Sequence, residues 1–323
     1  MNQLPQLMCP TCRATLTEKT SCKNCGKKYV LLKKDKLISF QPPSDPFYES
    51  HYEHTWKRRA YPTLPFLSVL LSLRERISLS SRRERFFRRH LKGKSNLLIL
   101  DVACGRGRKL FTEYGKVIGL DIVLEPLYET CEFYDLCVHG DAFAMPFPDE
   151  YFDYIVSSDF LGHIPAERKD ALYRELRRVL KAKGKMLHVM ETDANNWHFR
   201  FAHRYPELFQ KYFVEGIGGH FGLELPSRAI KRLEANGFQI LEASKIWGEL
   251  WEIEGYKLVF DNEYKNKSNR ITFIVNLSKV LTANIVVREI SNIVLSPISA
   301  ILERFTPLDN GQGLMVLCRK VSG

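Results

Sequence analysis

The chain has 323 residues, 45% of them apolar and 26% charged, which is an ordinary globular composition with room for one large domain and additions around it. The start, Met1 to Cys9, lacks a basic stretch followed by an apolar run, and no stretch reaches the eighteen or so apolar residues of a spanning helix; a cytoplasmic protein with no signal peptide and no transmembrane segment is expected. The net charge of +11 is uneven, because residues 1–100 hold 20 Lys+Arg against 7 Asp+Glu and residues 101–323 hold 28 against 30.

The first element is a pair of knuckles, Cys9-Pro10-Thr11-Cys12 and Cys22-Lys23-Asn24-Cys25-Gly26, separated by nine residues. Two thiolates at that spacing bind one metal from a tight turn, and two such turns give the closed tetrahedral set of a structural zinc site. A disulfide pair or a redox dithiol is the alternative, disfavoured in a cytoplasmic setting. Cys104, Cys131, Cys137 and Cys318 lie in apolar surroundings and read as reduced core residues. Residues 1–40 are thus expected to form a zinc ribbon folded by its metal.

Residues 41–95 follow as a linker, Gln41-Pro42-Pro43-Ser44-Asp45-Pro46, and a basic helical connector with nine Lys/Arg between Arg74 and Lys94. Its basic and aromatic residues suit a peripheral contact with an anionic membrane or an RNA phosphate backbone. Helices packed on the core with arginines outward account for them equally well.

Residues 96–323 begin with Leu97-Leu98-Ile99-Leu100, an apolar run of the kind found in buried parallel strands. It leads into Asp101-Val102-Ala103-Cys104-Gly105-Arg106-Gly107 and a helix-like segment to Tyr114. A glycine-rich turn between strand and helix lets the backbone approach a ligand closely. A second strand, Lys116 to Leu120, ends at Asp121, where a carboxylate can accept from both hydroxyls of a ribose. A dinucleotide fingerprint would need glycine at 110, where Leu110 stands.

These blocks resemble the class I S-adenosylmethionine-dependent methyltransferases, in the type 11 subgroup similar to quinone and small-molecule enzymes. The family pattern after the first strand is acidic-x-Gly-x-Gly-x-Gly; Ala103 replaces the first glycine, a mild departure unless that position needs φ > 0. Gly140-Asp141-Ala142 resembles the end of the family's third strand, which puts Asp141 and the Ala142 backbone at the adenine. Phe152 to Ser158 resembles the fourth strand, and Leu161-Gly162-His163-Ile164 the loop after it. A helix from Arg168 to Lys181, stopped by Gly184, and a fifth strand from Lys185 to Met190 continue the order. The resemblance implies a doubly wound α/β fold, Rossmann-like, with a mostly parallel seven-stranded sheet. It implies S-adenosylmethionine bound by Asp101, Ala103, Gly105, Gly107, Asp121, Asp141, Ala142 and Ser158.

Methyl transfer from a sulfonium is an in-line displacement that depends mainly on alignment, so a base is needed only for a hydroxyl or carbon acceptor. His163 is the candidate base, with a structural histidine as the alternative. Two insertions, about 194–226 and 249–312, are expected to form a helical cap; the first is rich in His and aromatics, with Gly216, Gly218, Gly219 and Gly222 giving it mobility. Ser227 to Ala235 reads as a capped helix closed by Gly237, followed by strands from Phe238 to Ala243 and Leu314 to Cys318. The apolar stretches at 271–275 and 293–302 extend the cap or touch a membrane. A small-molecule, saccharide or lipid-linked acceptor is expected. An RNA base methyltransferase is the alternative, weakened by Ser158-Asp159-Phe160-Leu161 standing where a nucleobase-amine motif would be. A non-catalytic cofactor-binding scaffold is a third.

Overall fold

The structure, a computed structural model, describes residues 6–18, 20–33, 36–42, 81–216 and 219–321. Most of the connector, residues 43–80, lies outside them. Nine strands among the described residues form one sheet: β1 Val30–Lys33, β2 Leu37–Ser39, β3 Leu97–Val102, β4 Gly115–Asp121, β5 Leu136–His139, β6 Phe152–Ser158, β7 Leu180–Glu191, β8 Phe238–Ile246 and β9 Gly313–Lys320. Their order is β1-β2-β5-β4-β3-β6-β7-β9-β8. From β2 to β7 every neighbouring pair is parallel, while β1–β2, β7–β9 and β8–β9 are antiparallel. Counted from β3, the five core parallel strands run 3-2-1-4-5, the reversal at β3/β6 being the switch point of a doubly wound sheet. This is the expected doubly wound, Rossmann-like architecture, with two N-terminal strands added to the expected seven.

The central strands are apolar along their length because both faces are covered. Leu100, Val102, Ile118 and Leu120 face one buried layer, and Ile99, Val117, Leu187 and Val189 face the other. α1 (Arg82–Leu91) seals the second layer with Phe86, Phe87 and Leu91. α2 (Leu127–Thr130) is a single turn between β4 and β5. α3 (Ala166–Val179) lays Leu172, Leu176 and Val179 on the first layer, at the spacing of one helix face.

One local expectation is refined and two are corrected. The segment after the glycine turn is a five-residue 3-10 helix, Lys109–Glu113. β3 covers ~20 Å and only Arg108 to Tyr114 remains to return along it; seven α-helical residues rise only about 10 Å, so a more extended path is required. α3 ends at Val179, Leu180 is already extended, and Gly184 sits inside β7 instead of stopping the helix. Ser227 does not cap its helix, α6 (Pro226–Ala235), whose first position is proline; its hydroxyl instead donates to Asp309 at 2.8 Å.

The cap rises from the C-terminal ends of β7 and β8. α4 (Trp197–Ala202), α5 (Pro206–Phe209) and a wide helical turn at Gln210–Glu215 come from the first insertion. α7 (Ile253–Phe260), α8 (Asn269–Ala283) and α9 (Ile285–Leu302) come from the second. The two share one apolar core around Phe199, Phe213, Trp251, Phe260, Tyr264 and Val275, so most cap aromatics are structural.

Candidate functional site

β3 to β6 end along one edge, and the carboxylates placed there by the sequence lie together. Asp101 is the penultimate residue of β3, Asp121 the last of β4, Asp141 lies just past β5, and Ser158 ends β6. The turn between β3 and the 3-10 helix is sharp: Ala103, Gly105 and Gly107 have φ of 53°, 50° and 63°. Position 103 therefore does need a positive φ, and the alanine departure carries strain that glycine would not. Gly107 has a second constraint, since a Cβ there would sit 2.7 Å from the Thr130 side chain.

Asp121 holds this turn, its two oxygens accepting from the Gly105 amide at 2.7 Å and the Val123 amide at 2.9 Å. Burial raises its pKa, against the pull of those amides. Asp101 is 4% exposed and accepts from the Tyr134 hydroxyl at 2.7 Å, which itself accepts from the Arg108 amide at 2.7 Å. Burial pushes the Asp101 carboxyl up to about 7, with Asp121 adding to the rise and Tyr134 and Arg108 opposing it. Asp141 folds its own turn, accepting from the Phe143 amide at 2.9 Å. The Arg108 guanidinium crosses the edge and donates to Ser158 Oγ at 3.0 Å. Tyr134 and Arg108 were not singled out in the sequence, because neither belongs to a strand-end motif.

Residues 100–188 match a family described as a methyltransferase domain. Among curated relatives, a protein of Encephalitozoon cuniculi named as a methyltransferase is 34% identical over 92 residues, covering 28% of this chain and 43% of its own. The demethylmenaquinone methyltransferase of Staphylococcus saprophyticus is 36% identical over 110 residues, covering 31% of this chain and 46% of its own. This chain thus spans less than half the length of these relatives. A solved structure of a protein from Bacillus halodurans, also named as a methyltransferase, has a TM-score of 0.47 and 21% identity over 75% of this chain and 100% of that one.

The matched segment ends before Glu191, where a second group of side chains lies along the same edge. His163 and His220 stack at 4.9 Å between ring centroids, and Glu191 Oε1 is 3.9 Å from His220 Nε2. Burial raises the Glu191 pKa well above the carboxylate range, and the nearby Asp159 charge adds to it. The glycines of the first insertion do not all loosen it. A Cβ at Gly222 would lie 1.7 Å from the Ile164 carbonyl oxygen, and the Gly222 amide donates to the Gly162 carbonyl at 2.9 Å. Buried Lys169 clamps the same loop, donating to the Gly222 carbonyl and to Glu224. Gly222 is therefore a close-approach glycine, and Gly218 lies outside the described residues.

At the other end, all eight cysteines are reduced, and the four N-terminal sulfurs converge. Cys9 and Cys25 are 3.6 Å apart and Cys12 and Cys22 3.5 Å, far beyond a disulfide bond of about 2.05 Å. A tetrahedron with metal–sulfur bonds of about 2.3 Å has edges of ~3.8 Å, so the donor set fits a zinc ion. Burial raises the Cys9 thiol, but the Tyr29 hydroxyl and neighbouring amides outweigh it and bring it down to about 6. The ribbon is anchored to the core: Arg13 donates to the Met145 and Phe147 carbonyls at 2.9 and 3.1 Å, and β2 pairs with β5.

Four arginines of the described part of the connector form intramolecular ion pairs. Arg82 binds Glu303, Arg83 binds Asp159, Arg88 binds Glu84 and Glu113, and Arg89 binds Glu242. Arg83 also lies 4.3 Å over the Trp247 ring.

Proposed function

We propose that this chain transfers a methyl group from S-adenosylmethionine to a small-molecule or lipid-linked acceptor enclosed between the sheet edge and the helical cap. The observation that carries the reading is the row of Asp101, Asp121 and Asp141 at successive strand ends around the positive-φ turn, in a segment similar to methyltransferase domains. Asp121 would take the ribose hydroxyls and Asp141, with Ala142, the adenine. Asp101 is placed for the cofactor's ammonium and Arg108 for its carboxylate, by charge alone. Bound there, the sulfonium supplies the methyl electrophile; the protein's part is to position the acceptor and keep water out. With no ion bound beside it, His163 Nε2 is a candidate to receive a proton from a hydroxyl acceptor.

A lipid-linked acceptor is supported by α9. Its inner face is polar, with Glu289, Asn292, Ser296 and Ser299 buried; Asn292 accepts from the Ile253 amide and Ser299 donates to the Leu250 carbonyl. Its outer face is apolar, exposing Ile290, Val294, Ile298 and Ile301, and Phe305 beyond the helix is 82% exposed. That is the reverse of a water-facing helix. The segment Ile285–Phe305 is long and apolar enough to cross a membrane, with a mean hydropathy of 1.6, but Asn292 and Ser299 on its inner face are already bonded to the cap. A peripheral position at the cytoplasmic membrane face follows from this reading. The RNA alternative is not favoured, since four of the five described connector arginines are paired with acids beyond residue 100.

The test is transfer of labelled methyl from S-adenosylmethionine into fractionated cell extract. Label in the organic phase, lost in the Asp121→Asn variant, is expected; label confined to RNA would overturn the acceptor reading, and none in any fraction the enzymatic one.

A further inference from the structure

We propose that His163, Glu191 and His220 form a binding site for a divalent transition-metal ion, which fastens the cap to the sheet edge. One candidate ligand atom from each residue lies within 4.8 Å of the others. The three come from three elements: the loop after β6, the last residue of β7 and the cap loop. Sequence neighbourhood therefore does not explain their meeting.

The surroundings are those of metal ligands. His163 Nδ1 lies 3.2 Å from the Gly219 carbonyl oxygen and His220 Nδ1 lies 3.3 Å from that of Phe213. With Nδ1–H donated to a carbonyl, each ring presents Nε2 unprotonated, which is how ligating histidines are held in orientation. Glu191 Oε2 is buried without an N–H or hydroxyl donor and its carboxyl faces that of Asp159, a costly pairing of two acids that a cation would relieve. Gly162 makes room for it, since a Cβ there would lie 2.8 Å from Oε2. The cap loop is held in register on both sides of His220, by the Gly219 carbonyl and the Gly222 amide. The ligands are thus preplaced.

Two imidazoles and one carboxylate suit Zn2+ or Fe2+ and leave coordination positions open. Beside the β6 strand end, those positions are open to an oxygen donor of the acceptor. This last assignment rests on the methyl-transfer reading; the ion's binding does not.

The test uses the full chain, stripped with chelator and titrated with Co2+ and Zn2+. Two equivalents are expected, one with the thiolate charge-transfer bands of the four cysteines and one with only weak visible bands. His220→Phe keeps the stacked ring and removes the ligating nitrogen; it and Glu191→Gln are expected to weaken the second equivalent at least tenfold and leave the thiolate bands unchanged. A single, thiolate-bound equivalent in the unmodified chain, or a second one untouched in folded variants, would overturn the proposal. Calorimetry with S-adenosylhomocysteine on the same samples separates the two readings. A second metal without cofactor binding removes only methyl transfer; cofactor binding with one thiolate-bound metal removes only this site.

Discussion

At Ala103 a side chain occupies a backbone conformation, φ of 53°, that costs an L-residue about 1–2 kcal/mol. Glycine there would lose some of that gain to the entropy of the unfolded chain, so Ala103→Gly is expected to stabilise by roughly 0.5–1 kcal/mol in urea unfolding. Gly107 is the opposite case. Gly107→Ala adds the positive-φ penalty to a contact with Thr130, and a loss of about 2–4 kcal/mol is expected, with weakened cofactor binding. Asp101 sets the pH dependence. Its folded pKa, about 7, lies above the ordinary 3.8, so the folded chain holds the proton more tightly than the unfolded one. The penalty is absent below about pH 4 and grows as pH rises to 7, at up to about 1.4 kcal/mol per pH unit. Asp101→Asn should therefore match the unmodified chain at pH 4 and exceed it in stability above pH 7, while binding S-adenosylhomocysteine more weakly. Denaturant unfolding at both pH values reads this directly. Equal stability of the two chains above pH 7 would contradict it.

The ribbon and α9 are the elements for which roles beyond packing are proposed. Because β2 pairs with β5 and Arg13 grips the loop at Met145–Phe147, removing a metal ion held by the four cysteines is expected to lower the unfolding temperature of the whole domain, not just of its first 40 residues. Hydrogen exchange should show β5 losing protection along with the ribbon. α9 predicts binding to lipid vesicles that falls at least tenfold when Val294 and Ile298 are both replaced by Asp, read by co-sedimentation. The core strands were legible in the sequence because a sheet covered on both faces demands unbroken apolar runs, most of which end at or beside an acidic residue or serine; β1 and β2, inside the ribbon, were not. The helix-like segment after Gly107 was legible but its 3-10 form was not, since that form comes from the distance back to β4 and not from side-chain periodicity. Glu191 was within reach: an acidic residue ending a strand is the rule that singles out Asp101 and Asp121. Only the strand's boundary, taken as Met190, hid it.

At the scale of the molecule, the excess positive charge of residues 1–100 is partly answered by the rest of the chain, with Arg82, Arg83, Arg88 and Arg89 all paired to acids beyond residue 100. Such cross-pairs cannot be read from a linear charge count, nor can the convergence of His163 and His220, 57 positions apart in sequence. The cap's shared apolar core was equally hidden, because it joins two insertions separated by α6 and β8. What the sequence does carry is the cofactor edge, and the account stands on it. Calorimetric titration of the full chain with S-adenosylhomocysteine tests it most directly. One site per chain is expected, weakened at least tenfold in Asp121→Asn with the fold intact; no binding by the folded, zinc-loaded chain would contradict the account.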